Sequence, residues 1–202
     1  HGHRLIASIV GILTVILVAW LWRSETRPWV RRLSYIALAT VVTQGILGGI
    51  TVLWFLPDPI SISHAGLAQI FFCLTITIAL VTSRSWKHAY RGSVGAKTSV
   101  DNTLQSLAWV TTGVIYLQIL VGATMRHTEA GLAIPDFPLS FGHLLPPHWN
   151  IGIAVHFAHR VGALIVTLLI VSTTGHVFYH YKNNVELKRP AVLLLLLLGM
   201  QV

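Results

Sequence analysis

Charge and cysteine are both scarce in this sequence of 202 residues. Only 10% of the residues are charged, against about 25% in an average soluble domain. The single cysteine, Cys73, argues against a structural zinc site, in which four ligands and several thiolates are common. With 54% hydrophobic residues, the scarcity of charge excludes an ordinary soluble domain and predicts an integral membrane protein in contact with lipid.

Long uncharged runs fill most of the chain. A helix needs roughly 20 apolar residues to cross a bilayer, and five runs reach that length: 5–22, 33–57, 59–83, 102–125 and one from about Ile151 to 181. A sixth run, 190–202, is shorter, and the chain has neither an initiator methionine nor a signal-peptide pattern. We therefore expect an internal segment of a longer protein. Its fold class is all-α, a polytopic membrane helix bundle, with about five complete helices and part of a sixth.

The formal net charge of +8 is unevenly distributed among the loops. Basic residues fill the first, third and fifth loops: Arg23, Arg27, Arg31, Arg32; Arg84, Lys87, Arg91, Lys97; Lys182, Lys188 and Arg189. The second and fourth loops are neutral or acidic. This is the positive-inside pattern, which predicts that the odd loops face the cytoplasm or matrix. The basic surplus reflects topology, so a nucleic acid is not expected as a partner.

Histidines recur at the predicted outer end of alternate helices: His3, His64, His156 and His159. A charge near the middle of a bilayer costs on the order of 3 kcal/mol or more, so the group of His156, His159 and Arg160 in one helix calls for a function. By contrast, the histidines at the predicted inner ends, His88, His176 and His180, are expected to be solvated and without a role.

An internal repeat links two of these positions. His3-Arg4 and His159-Arg160 each begin a similar apolar helix, and Gln44 and Gln201 follow at matching distances, with an offset of about 156 residues. The repeat predicts two similar halves, 1–90 and 91–202 in this chain. It also predicts a counterpart of His64 near position 221, beyond the last residue.

Paired histidines on neighbouring helices suit a transition metal. A haem with two imidazole ligands also needs room for a flat ring, and residues at i and i+4 share a helix face. Small residues hold that position, namely Ala7 after His3, Ala68 after His64 and Ala163 after His159, the last with Gly162 beside it. This selects His3, His64 and His159 as iron ligands.

The neighbouring arginines have a predicted use as well. Arg4 and Arg160 lie where they can pair with haem propionates, although an arginine at a membrane surface can also simply reach the headgroups. His156, which has Arg160 one turn below it, is predicted to contact a propionate rather than iron. The fourth loop, 126–150, is rich in aromatic residues and proline, and we expect an ordered cap over a haem pocket.

This loop and the histidine pairs resemble the haem A synthase family. The resemblance covers essentially the whole chain and is carried by "QGILGGITV" at 44–52, "SHAGLAQ" at 63–69 and a specific loop motif: Arg126, His127, Thr128, Ala130, Gly131, Leu132, Ala133, Pro135, Asp136, Pro138 and Leu139. Arg126, at the start of the motif, is a further candidate for cofactor binding. Many members carry a cysteine pair where this chain has Ile134 and Ser140, so no disulfide can form in the loop.

The resemblance implies eight helices in two similar four-helix halves and the oxidation of a methyl group of haem O to the formyl group of haem A. It implies that His3 and His64 are catalytic and hold the substrate haem iron. His159 then holds one side of a haem b whose other ligand lies past residue 202. The family's catalytic glutamate falls just ahead of residue 1, so the segment alone is expected to be inactive.

Several partners and alternatives remain at this point. Haem O synthase, an electron donor and a second copy of the chain are expected as partners, in a bacterial plasma membrane or mitochondrial inner membrane. A di-haem b-type cytochrome without haem-modifying activity would use the same histidines. A transporter built from repeats is a third possibility.

Overall fold

A computed structural model describes residues 2–54, 57–87 and 101–201. The chain divides into two compact units, His1–Thr98 and Ser99–Val202. The predicted boundary between halves, near residue 90, and the predicted roles of His88, Arg91 and Lys97 lie outside the described residues. The all-α fold class is confirmed, because the regular elements of the described part are all helices.

Three long helices form the first unit: α1 (Gly2–Ser24), α2 (Pro28–Leu53) and α3 (Asp58–Thr82). Prolines lie in the first turns of α2 and α3, where the missing N–H costs no hydrogen bond. Helix α2 packs against both α1 and α3. Leu21, Ala37 and Ile78, one from each helix, form the buried core.

The second unit contains α4 (Asn102–His127), a short 3₁₀ helix (Ala130–Leu132), α5 (Ile151–His180) and α6 (Val185–Gln201). Side chains cap two of these helices, since Asp101 accepts from the N–H of Leu104 and Asn150 accepts from that of Ile153. Helix α5 packs against α4 and α6. It begins at Ile151, as predicted, although the uncharged run starts ten residues later.

Helices α1 to α5 are all long and apolar enough to cross a membrane, which confirms the five predicted spans. Their outward faces carry large apolar side chains; Leu5, Ile12 and Trp20, for example, are 64%, 61% and 70% exposed. A contiguous apolar surface of this extent requires lipid around it. Cys73, on α3, belongs to this exposed surface rather than to the core.

A buried carboxylate organises the short connection between α1 and α2. Glu25 is 5% exposed and accepts two hydrogen bonds from the guanidinium of Arg27, at 2.9 and 2.8 Å. Arg27 also donates to the carbonyl of Val81 near the end of α3, at 2.9 Å. The hydrogen bonds from Arg27 lower the pKa of Glu25 from 4.5 to about 2. This ion pair therefore holds three helices together at one end.

The lowered pKa of Glu25 predicts a specific loss of stability in acid. A depressed folded-state pKa stabilises the protein above the unfolded value of 4.5, and this contribution is lost as pH falls towards about 2. In the full-length protein, Glu25→Gln should lower the free energy of unfolding near pH 7 by about 1.5–3 kcal/mol and flatten the decline between pH 4.5 and 2. Thermal unfolding in detergent measures both. Glu186→Gln, at an exposed position of α6, is the control, and an equal effect of the two changes would contradict the assignment.

A second polar cluster joins α4 to the far end of α5. The carboxylate of Asp101 lies 2.8 Å from Nε2 of His176 and accepts a 2.7 Å hydrogen bond from the hydroxyl of Tyr181. The His176 contact, with the N–H of Leu104 and the Tyr181 hydroxyl, holds the pKa of Asp101 well below its usual range, and Asp101 in turn raises the pKa of Tyr181. The expectation that His176 is solvated and without a role was therefore wrong.

Candidate functional site

In the first unit, the two predicted ligands lie at the same end of helices that do not pack together. His3 is exposed in the first turn of α1, and His64 is half-buried in the second turn of α3. Among the described residues, no Cα atom of α1 lies within 8 Å of one in α3. Even so, His3 is near enough to His64 for the two side chains to interact electrostatically. Both histidines thus lie in the first two turns of helices that pack against α2.

Helix α2 holds His64 through two residues one turn apart. Nε2 of Gln44 donates a 2.8 Å hydrogen bond to the backbone carbonyl of His64. A Cβ atom added to Gly48 would lie only 3.3 Å from Cε1 of the His64 ring. Within the described part of the chain, Nδ1 of His64 and Oε1 of Gln44 are both buried without a hydrogen-bond partner. The glycine is therefore what lets the ring pack against α2.

The second unit repeats this arrangement around His159. Nε2 of Gln118, on α4, donates a 2.8 Å hydrogen bond to the carbonyl of His159 and lies 3.1 Å from its Nδ1. A Cβ atom at Gly122 would lie 3.0 Å from Cε1 of His159. A Cβ atom at Gly162 would overlap the Gln118 amide oxygen. Gly162 thus makes room for Gln118, whereas the sequence had suggested that it makes room for a haem ring.

His156 and Arg160 bind the loop between α4 and α5. Nδ1 of His156 is 3.2 Å from the N–H of Ile134, and its Nε2 is 3.2 Å from Nε of Arg160. A neutral imidazole has one acceptor nitrogen, so His156 accepts only one of these hydrogen bonds at a time, but both of its ring nitrogens lie against N–H groups of the protein. Arg160 also donates to the carbonyls of Leu139 and Ile134, at 2.9 and 3.2 Å. Three of the five N–H groups of its guanidinium are therefore used, and two stay available for a propionate.

The same loop is well ordered without a cysteine pair. Ile134 and Ser140 are 3% and 2% exposed. Asp136 accepts hydrogen bonds from the N–H groups of Phe141 and Gly142, at 2.7 and 2.8 Å, which lower its pKa. Gly142 has a φ of +76°, a backbone conformation that glycine adopts without strain. These backbone hydrogen bonds and the buried side chains fix the loop.

The remaining predicted contacts, Arg4 and Arg126, are both exposed. Arg4 follows His3 on α1, and Arg126 is in the last turn of α4. No side chain in the described ranges pairs with either guanidinium. Their assignment to haem propionates stays a prediction.

The family model for the cytochrome oxidase assembly proteins, COX15-CtaA, matches residues 1–202. The chain belongs to this family. Among similar proteins of this family are those named haem A synthase from Symbiobacterium thermophilum (30% identical over 84% of this chain), Lysinibacillus sphaericus (30% over 91%) and Staphylococcus carnosus (27% over 100%). The chain covers 56%, 59% and 63% of the length of these three COX15-CtaA relatives. Membership confirms the resemblance found in the sequence.

Sequence reasoning missed four residues of the site in this COX15-CtaA chain. Gln44 had been noted as a marker of the repeat, Gln44 and Gly48 had been quoted within "QGILGGITV" without a role, and Gln118 and Gly122 had not been noted at all. A signal was present, since both glutamines are followed by glycine four residues later. That spacing places the two residues on one helix face, but only the packing of the helices reveals that the face meets a histidine.

Proposed function

We propose that the full-length protein oxidises a methyl group of haem O to the formyl group of haem A, which cytochrome oxidase requires. The observation that best supports this is the pair His3 and His64, which lie in the first two turns of α1 and α3, the two helices that flank α2, in a COX15-CtaA chain. Two imidazoles at the same end of two helices suit the two axial positions of a haem iron. In this proposal the haem in the first unit is the substrate, and His3 and His64 are the catalytic residues that hold it.

The residues of the second unit fit a resident haem b. His159 is half-buried, and its contacts to Gln118 involve the carbonyl and Nδ1. Nε2 would ligate iron with the proton on Nδ1, which requires the Gln118 amide to turn its oxygen towards Nδ1. Arg160 and Arg126 are the proposed neighbours of the propionates, with the second ligand beyond residue 202. His156, whose ring nitrogens face Ile134 and Arg160, would act on the propionates only through Arg160. Haem b, when bound, supplies one-electron transfer.

The loops support an orientation for this site. The basic loops would face the cytoplasm or matrix, so the histidine ends of α1, α3 and α5 would lie near the outer face. The membrane would be a bacterial plasma membrane or a mitochondrial inner membrane. Proposed partners are haem O synthase, an electron donor and a second copy of the chain.

Haem analysis tests the proposed reaction. The full-length protein is expressed in a bacterial strain that makes haem O but lacks its own haem A synthase, and extracted haems are separated by chromatography. We expect haem A to appear with the protein and to be absent with an empty vector. If the purified protein binds two haems but haem O remains unchanged, it is an electron-transfer cytochrome. A protein without a Soret band despite sufficient haem would instead favour transport.

A further inference from the structure

The same two residue types support both half-buried histidines. On α2, Gln44 and Gly48 face His64; on α4, Gln118 and Gly122 face His159. In each pair the glutamine contacts the backbone of the histidine and the glycine contacts its ring. Both residues of the pair lie on the helix that comes just before the histidine's own helix in the chain. We infer that Gln44–Gly48 and Gln118–Gly122 are positioning pairs that set the height and orientation of the two imidazoles for iron. This rests on the proposed function, because it takes His64 and His159 to be haem ligands.

The glutamine fixes the position of the histidine along the helix. In both units its Nε2 donates to the histidine carbonyl at 2.8 Å. A carbonyl oxygen has two lone pairs, so it can accept this bond as well as one within its own helix. Hydrogen bonds between helices hold them in register where lipid offers no competing donor. Each glutamine therefore fixes how far its ligand histidine lies into the membrane.

The glycine fixes how closely the ring approaches the neighbouring helix. An added Cβ would lie 3.3 Å from the ring of His64 at Gly48 and 3.0 Å from that of His159 at Gly122. Other glycines of the same helices differ, since a Cβ at Gly49 or Gly113 would meet nothing within 4 Å. The need for glycine is thus specific to the position one turn after the glutamine.

Two buried polar atoms point to a further role for Gln44. Oε1 of Gln44 and Nδ1 of His64 both lack a partner among the described residues, and buried polar groups are normally hydrogen-bonded. A histidine that ligates iron through Nε2 carries its proton on Nδ1, which then needs an acceptor. The Gln44 amide oxygen is an acceptor on a residue already bonded to His64. Accepting a hydrogen bond from Nδ1–H would also make His64 a more basic ligand.

The test compares purified full-length variants by the optical spectra and potentials of their haems. Gln44→Leu should raise the reduction potential of the haem at the first site by about 59 mV, which is a tenfold change in its reduction equilibrium constant. The same change should leave haem b unchanged. Gln118→Leu should perturb only haem b. Gly48→Ala and Gly122→Ala should each reduce haem occupancy at their own site. Gly49→Ala, Gly113→Ala and Gln105→Leu, at an exposed position of α4, are the matched controls.

A haem-free measurement separates this inference from the proposed function. In apoprotein labelled with ¹⁵N-histidine, Gln44→Leu should change the ring nitrogen shifts of His64 only, and Gln118→Leu those of His159 only, with His→Ala variants used for assignment. If the wild type binds no haem, the proposed function fails. The ring nitrogen shifts of His64 and His159 in the apoprotein would still show whether the glutamines act on these histidines. Unchanged shifts in both glutamine variants, or equal effects of Gly48→Ala and Gly49→Ala, would overturn the inference.

Discussion

In the full-length protein, His64→Ala is expected to abolish the conversion of haem O and to leave haem b bound, and His3→Ala should do the same. Loss of a residue that hydrogen-bonds to a metal ligand typically costs about 10- to 100-fold in metal affinity or activity, and loss of the ligand itself should exceed this. The haem b should persist because His159 belongs to the other compact unit. Haem chromatography measures conversion, and the reduced spectrum measures haem b.

The control for this pair is His143→Ala, because His143 is exposed in the α4–α5 loop. It should retain both conversion and haem b. If His3→Ala or His64→Ala instead removes haem b and spares conversion, the substrate and cofactor sites have been assigned to the wrong halves. Normal conversion in both variants would exclude the two histidines as ligands of the substrate.

His159→Met is expected to shift the Soret and α bands and to raise the midpoint potential of haem b, or to lose that haem. Methionine ligation raises haem potential relative to histidine. The ring packs so closely on α4 that a Cβ added at Gly122 would lie only 3.0 Å from it, which leaves little freedom for a replacement side chain. His156→Met should leave the spectrum nearly unchanged, because both ring nitrogens of His156 contact Ile134 and Arg160. Spectra and redox titrations of both variants at matched protein levels decide between the two histidines.

His156→Met should have a different effect, on the loop. It removes the acceptor for the Ile134 N–H, so the α4–α5 loop should become more sensitive to limited proteolysis while haem b stays in place. His159→Met should leave the proteolysis pattern of this loop unchanged if its haem is retained. Loss of haem in His156→Met, with a normal spectrum in His159→Met, would mean that the register assigned to α5 is wrong.

The helices could be predicted from sequence because length and hydropathy are enough to define a membrane span. The start of α5 at Ile151 was predicted correctly even though it places Arg160 inside the helix. Side-chain partners were harder to predict. His176 was taken as solvated because its sequence neighbourhood does not reveal Asp101, which is 75 residues away in the chain.

Gly162 illustrates the same limit at the candidate site. Its small size was taken as room for a haem ring, because sequence alone could not identify what lies beside it. The approaching group is the amide of Gln118 from α4, which lies on a different helix and had no apparent role. Periodicity defines the faces of a helix, whereas the neighbour of each face follows from packing.

Arg160 binds the loop through carbonyl oxygens, at Leu139 and Ile134. Every amino acid has a carbonyl, so this attachment does not depend on which side chains the loop carries. The residues at 134 and 139 could therefore change without loss of these two hydrogen bonds to the helix that bears His159. The contact between loop and helix depends on the arginine alone, whereas the shape of the loop itself depends on the Asp136 side chain and the buried side chains of Ile134 and Ser140.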